Sequence, residues 1–201
     1  MNRVFAAAAF ADMLLLTATA VLGGAVQGTR LFGQHFSLAL FTCLLTVLLH
    51  VVVFTYFSAT GRMISQAVWI GHLERTPLDR VADFKAHVIR WVAASVGSIV
   101  LVASLGASSA GEPAWRLWHA LAAFLAITVN AAAFHVEYGY IHQNRELMTA
   151  VLADYDVART ARTTRTARRT DVNTPGHTTA PAAPAESSHT IKTEPAYPAQ
   201  T

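Results

Sequence analysis

The sequence predicts an all-α, polytopic membrane protein: four transmembrane helices in an antiparallel bundle, with helical extensions on the cytoplasmic side. Three observations predict it. Charged residues make up only 13% of the 201 residues, and hydrophobic residues 53%, whereas soluble domains run to about 25% charged. Several apolar runs approach the roughly 20 residues that a helix needs to cross a hydrocarbon core. Lys and Arg are concentrated in alternate links between those runs, the asymmetry that sets the orientation of a membrane bundle.

The first span is placed at 4–26. Its positive start, with Ala18 and Ala20, carries a faint cleavage signature. The apolar run nevertheless continues to Val26, and Asp12 lies within it. A carboxylate there is costly unless a bundle supplies a partner, so the segment is read as a retained span. Gln27 to Gln34 forms a short polar link. The second span is placed at 35–59, with His50 inside and Phe54, Tyr56 and Phe57 at one end as an interfacial aromatic group. Residues 62–75 follow a 3.6-residue apolar period through Met63, Ala67 and Ile70. They are read as the same helix continuing into water, since Gly61 costs only about 1 kcal/mol in a helix and need not end it.

Thr76-Pro77-Leu78-Asp79 is a helix start: a capping hydroxyl, a proline at the first turn and an acid near the positive helix end. Val81, Phe84 and Val88 then form an apolar stripe, and the third span is placed at 88–107. Ser95, Gly97, Ser98, Ser104 and Gly106 make it rich in small residues, which permits close helix packing. Ser95 has no histidine partner in its own helix to mark it as a nucleophile. Residues 106–113 form the second outer link. The fourth span is placed at 115–138, and its water-side continuation carries Tyr138, Ile141, Arg145, Met148, Leu152 and Tyr155 on one broad face. The stem is thus 60–87 with 139–156.

The outer links hold only Arg30 and Arg116. The middle link holds Arg62, Arg75, Arg80, Lys85 and Arg90, and the C-terminal part holds Arg145 and the run from Arg159 to Arg169. This places both termini in the cytoplasm, in a membrane of generic bacterial inner type. Residues 157–201, rich in Thr, Ala, Pro and Arg and nearly free of large apolar side chains, read as a disordered tail. The 159–169 arginine run acts as a topology signal and a candidate contact for anionic headgroups. Nucleic acid is not an expected partner, because neither aromatic interleaving nor a folded module accompanies the charge.

Cys43 is the sole cysteine, so an intramolecular disulfide and a cysteine cluster are both excluded. The G-x-S-x-G, H-E-x-x-H, phosphate-loop and covalent-haem patterns are absent. The candidate site is therefore the set of polar groups inside the spans. Counting from the span ends places Asp12, His50, Ser95 and Asn130 at one depth, with Asp12 and His50 as expected partners. His135, Glu137, His87 and His142 fall lower. As cofactor ligands the candidates are His50, His135, Asp12 and Asn130; as metal ligands, His50, His135 and Glu137. No cofactor is named by the sequence, and no enzymatic activity is assigned. Three functions fit: a structural or assembly subunit of a larger membrane complex, with other subunits or self as partners; a small redox protein holding haem or a metal through intramembrane histidines; and passage of protons or small solutes in an oligomer.

Overall fold

The computed structural model describes residues 2–26, 31–112 and 114–173. All regular structure among them is helical: α1 Asn2–Ala25, α2 Phe32–Gly71, α3 Thr76–Gly111 and α4 Trp115–Asn173. Each helix contains a window apolar enough to cross a membrane, with mean hydropathies of 1.9, 2.5, 1.9 and 1.7. The chain is an all-α four-helix bundle. Its exterior is inverted relative to a soluble protein. Phe10, Leu14, Leu44, Leu48, Val100, Leu121 and Phe124 are exposed, while Asp12, His50, Ser95, Asn130 and Glu137 are fully buried. Water would penalise that distribution; hydrocarbon imposes it, since apolar side chains are at home there and polar ones must pair inside.

The helices outrun their spans. The 40 residues of α2 make a rod of about 60 Å at 1.5 Å per residue, twice the roughly 30 Å of a hydrocarbon core. Residues 62–71 continue that helix without a break at Gly61. A β-carbon at Gly61 would lie 3.1 Å from Val81 Cγ1 and 3.0 Å from Lys85 Nζ, so the glycine is where α3 closes on α2. α2 begins at Phe32 rather than His35, and α3 runs to Gly111, through most of the expected outer link.

The turn after α2 satisfies its carbonyls one by one. Leu73 N–H donates to Val68 O and His72 N–H to Trp69 O, the paired bonds of a Schellman motif, with His72 in the left-handed region at φ 48°. The Arg162 guanidinium donates to Ile70 O at 2.8 Å and Gly71 O at 2.6 Å. The last four acceptors, which a helix cannot satisfy internally, are thereby all engaged. At the start of α3 the expected cap is not formed. Thr76 is itself the first helical residue, and its hydroxyl donates to Glu74 Oε1 at 2.6 Å. As the first helical residue rather than the residue before it, Thr76 does not place its oxygen to accept from the N–H groups of the first turn, and its proton goes to the acid two residues upstream.

Three helices build the stem core, which gathers Phe57, Ile64 and Val68 of α2, Val81, Phe84 and Val88 of α3, and Ile141, Leu147 and Val151 of α4. The buried face of α4 differs from the broad face read from sequence: Tyr138, Arg145 and Leu152 are exposed, and Glu137 and Asn144 take the inner stripe. Asn144 is accommodated because its amide donates to Thr60 Oγ1 at 2.8 Å. Nearer the other end a smaller cluster of Leu16, Ile99 and Ala126 packs with Met13, Cys43 and Val102.

Two units divide the chain, residues 1–162 and 163–201. α4 continues through residues 157–173, which the sequence places in the disordered tail. An existing helix extends without a new nucleation cost, no proline or glycine intervenes before Pro175, and Arg162 is held at the end of α2. The remainder of that expected tail, 174–201, lies outside the described residues.

Candidate functional site

Four buried stripes meet inside the bundle. On α2 the inner positions are Thr42, Thr46, His50, Val53 and Phe57, and on α4 they include Ala126, Asn130, Ala133, Glu137 and Ile141. These spacings of three and four keep each set on one helix face. His50 is the hub. Its Nδ1 lies 2.7 Å from Glu137 Oε1, and its Nε2 lies 2.6 Å from Ser95 Oγ and 3.2 Å from Asn130 Oδ1. Phe134 stacks on the imidazole at a centroid distance of 5.0 Å, and Phe5 of α1 meets Phe134 edge-on at 6.1 Å. The hub thus draws on all four helices.

The hydrogen bonds assign the protons. Asn130 Nδ2 donates to Ala126 O at 2.7 Å and to Ser98 Oγ at 3.3 Å, so its Oδ1 is the atom turned to His50. Two acceptors cannot bond each other, so His50 Nε2 carries hydrogen. Ser95 accepts from that N–H and donates its own proton to Asn130 Oδ1. One more proton lies in the His50–Glu137 bond, which leaves the pair with zero net charge whichever atom holds it. A neutral pair is what a low-dielectric interior tolerates.

Glu137, His50 and Ser95 have the connectivity of an acid–histidine–serine triad. Their proton arrangement is the reverse of a nucleophile's: histidine must accept from serine, and here it donates. Ser95 is also fully buried. Two open grooves lie on the surface, one lined by Trp91, Gly139 and Tyr140, the other by Phe5, Phe10 and Met13, and both are bordered by His135.

The expected Asp12–His50 bond is not formed. Asp12 is fully buried, and its carboxylate accepts from Thr46 Oγ1 at 2.9 and 3.1 Å. Thr46 stands one turn before His50 on the same stripe and meets α1 first. Sequence reading passed over Thr46, whose i−4 position relative to His50 is the signal that would have found it. The depth estimate did bring together His50, Ser95 and Asn130. It placed Glu137 too low, although Asn130 and Glu137 share a face by their seven-residue spacing. His135 is exposed on the outside of α4 and does not join His50, because a residue two positions from Glu137 faces away from it. Among the described residues no group of three or more His, Cys, Asp or Glu side chains converges as a metal-holding set.

No family model matches the chain, and comparison with curated proteins and with solved structures finds no significant match.

Proposed function

We propose that this chain is an integral membrane protein whose four helices cross the bilayer in antiparallel order with both termini in the cytoplasm, and that it serves as a structural or assembly subunit of a larger membrane complex. The observation that carries this reading is the mutual consumption of the intramembrane polar groups. His50, Ser95, Asn130 and Glu137 bond one another, and Asp12 bonds Thr46. Such a layer sets helix register and leaves few polar groups for a substrate. The stem supports the same reading. With the membrane edge at Tyr138, α4 carries Arg159 about 30 Å farther along its axis. That length sets a stem surface beyond the headgroups, within reach of a protein partner. Haem held between His50 and His135 loses its geometric support, since the first is saturated and the second exposed.

The test is chemical crosslinking in native membranes, followed by purification in mild detergent. A stoichiometric membrane partner supports the assignment. A monodisperse chain without a crosslinked partner overturns it. Reporter fusions at Arg3 and Thr201 should both read cytoplasmic.

A second reading, proton passage in an oligomer, is favoured by one observation. Glu137 Oε2 is buried with no hydrogen-bond partner, a vacant acceptor beside a histidine. Proteoliposomes with an entrapped pH dye should acidify in response to an imposed potential, and Glu137→Gln should abolish it; no flux above empty vesicles removes this reading.

A further inference from the structure

At the end of the bundle opposite the stem, a second histidine pair stands apart from the His50 hub. His35 near the start of α2 and His119 near the start of α4 have ring centroids 6.3 Å apart, with planes at 80°. Each ring is seated on a glycine of a neighbouring helix. A β-carbon at Gly23 of α1 would lie 2.7 Å from His35 Cε1, and one at Gly106 of α3 would lie 2.9 Å from His119 Cε1. Any larger residue at either position would collide with the imidazole, so all four helices take part in holding the two rings.

The polar atoms of the pair are arranged for a ligand. His119 Nδ1–H donates to Val102 O at 3.1 Å, which assigns its tautomer and leaves the Nε2 lone pair free to coordinate. That bond from the far ring nitrogen to a backbone carbonyl is the supporting contact that orients histidine ligands in metal sites. His35 Nδ1 is buried and has no hydrogen-bond partner. A buried polar atom without a partner is unfavourable and calls for an occupant. Two metal–nitrogen bonds of about 2.0–2.1 Å each, added to the radii of the two rings, match the observed centroid separation when the nitrogens oppose each other across the ion; a tetrahedral angle draws the rings about 1 Å closer.

The geometry points to a binding site for one divalent transition-metal ion of the zinc or copper class between His35 Nδ1 and His119 Nε2, bridging α2 and α4. Imidazole suits those ions, and calcium or magnesium would require oxygen ligands instead. Two protein ligands leave the remaining positions to water, so the ion is exchangeable, unlike a closed structural zinc. Binding at this end is independent of the subunit role proposed above and survives its failure.

The experiment uses the full chain without a histidine tag, purified in detergent and stripped with chelator. Titrated with Cu(II) under equilibrium dialysis, it should bind one ion per chain, with electron paramagnetic resonance showing two imidazole nitrogens. His35→Gln and His119→Gln should each weaken binding at least tenfold, and His135→Gln should leave it unchanged. A second measurement needs no variant: Zn(II) should protect His35 and His119, but not His135 or His142, from diethylpyrocarbonate, read by peptide mass spectrometry. Absence of one-to-one binding, or zinc protection that misses His35 and His119, overturns the site.

Discussion

His50 Nδ1 and Glu137 Oε1 lie 2.7 Å apart with both side chains fully buried, although 87 residues separate them in the chain. Nothing local to either residue produces that contact. It follows from two helices placing their inner stripes at one level. Removing one partner strands the other in a medium without water, a loss of about 3–5 kcal/mol. His50→Ala and Glu137→Ala should each cost that much in a denaturant titration of the solubilised bundle. The double variant should cost clearly less than the sum, and Glu137→Gln less than Glu137→Ala. Additive single variants would show that the pair does not interact.

Asp12 should couple to Thr46 more strongly than to His50. A hydrogen bond to a charged group is worth about 1.5–3 kcal/mol, and the single Thr46 hydroxyl, shared with Thr42 O, is the group that reaches both Asp12 oxygens. A double-mutant cycle of Asp12→Ala with Thr46→Val should give a coupling within that range. A larger coupling in the cycle with His50→Ala would contradict the structure.

Thr76→Ala should leave stability within about 0.5 kcal/mol, as for other exposed positions without a special role. A true N-cap would lose about 1 kcal/mol. Thermal unfolding distinguishes the two, since the hydroxyl bonds Glu74 and not the helix backbone.

Arg162→Ala should release two carbonyls at the end of α2. Amide hydrogen exchange should quicken around 68–73 and along 157–162, with the intramembrane stripes unchanged. Equal protection in the two proteins would mean that the guanidinium does not hold the stem.

Ser95 should resist fluorophosphonate labelling in the solubilised protein. Its proton is committed to Asn130 and its oxygen accepts from His50. Labelling at Ser95 would require the opposite proton arrangement and an opening that reaches it.

Elements governed by short-range rules were legible in the chain itself. The apolar runs fixed four helices and their order, because a backbone in hydrocarbon must satisfy its hydrogen bonds internally. The 3.6-residue period through 62–75 announced that α2 would continue past Gly61. The depth of His50, Ser95 and Asn130 was readable because a helix rises uniformly and spans share a boundary. Other features depend on rotation, which residue counting does not supply. Whether Glu137 or His135 turns inward is decided by about 200° of rotation around α4, and whether Asp12 meets Thr46 or His50 turns on one helical turn of depth, finer than span boundaries read from the chain. The end of α4 was likewise hidden, since composition alone reads 157–173 as tail, and only the approach of α2 shows two carbonyls awaiting Arg162. Periodicity along one helix determines that it has a buried face; the packing of its neighbours decides which polar groups on that face find each other.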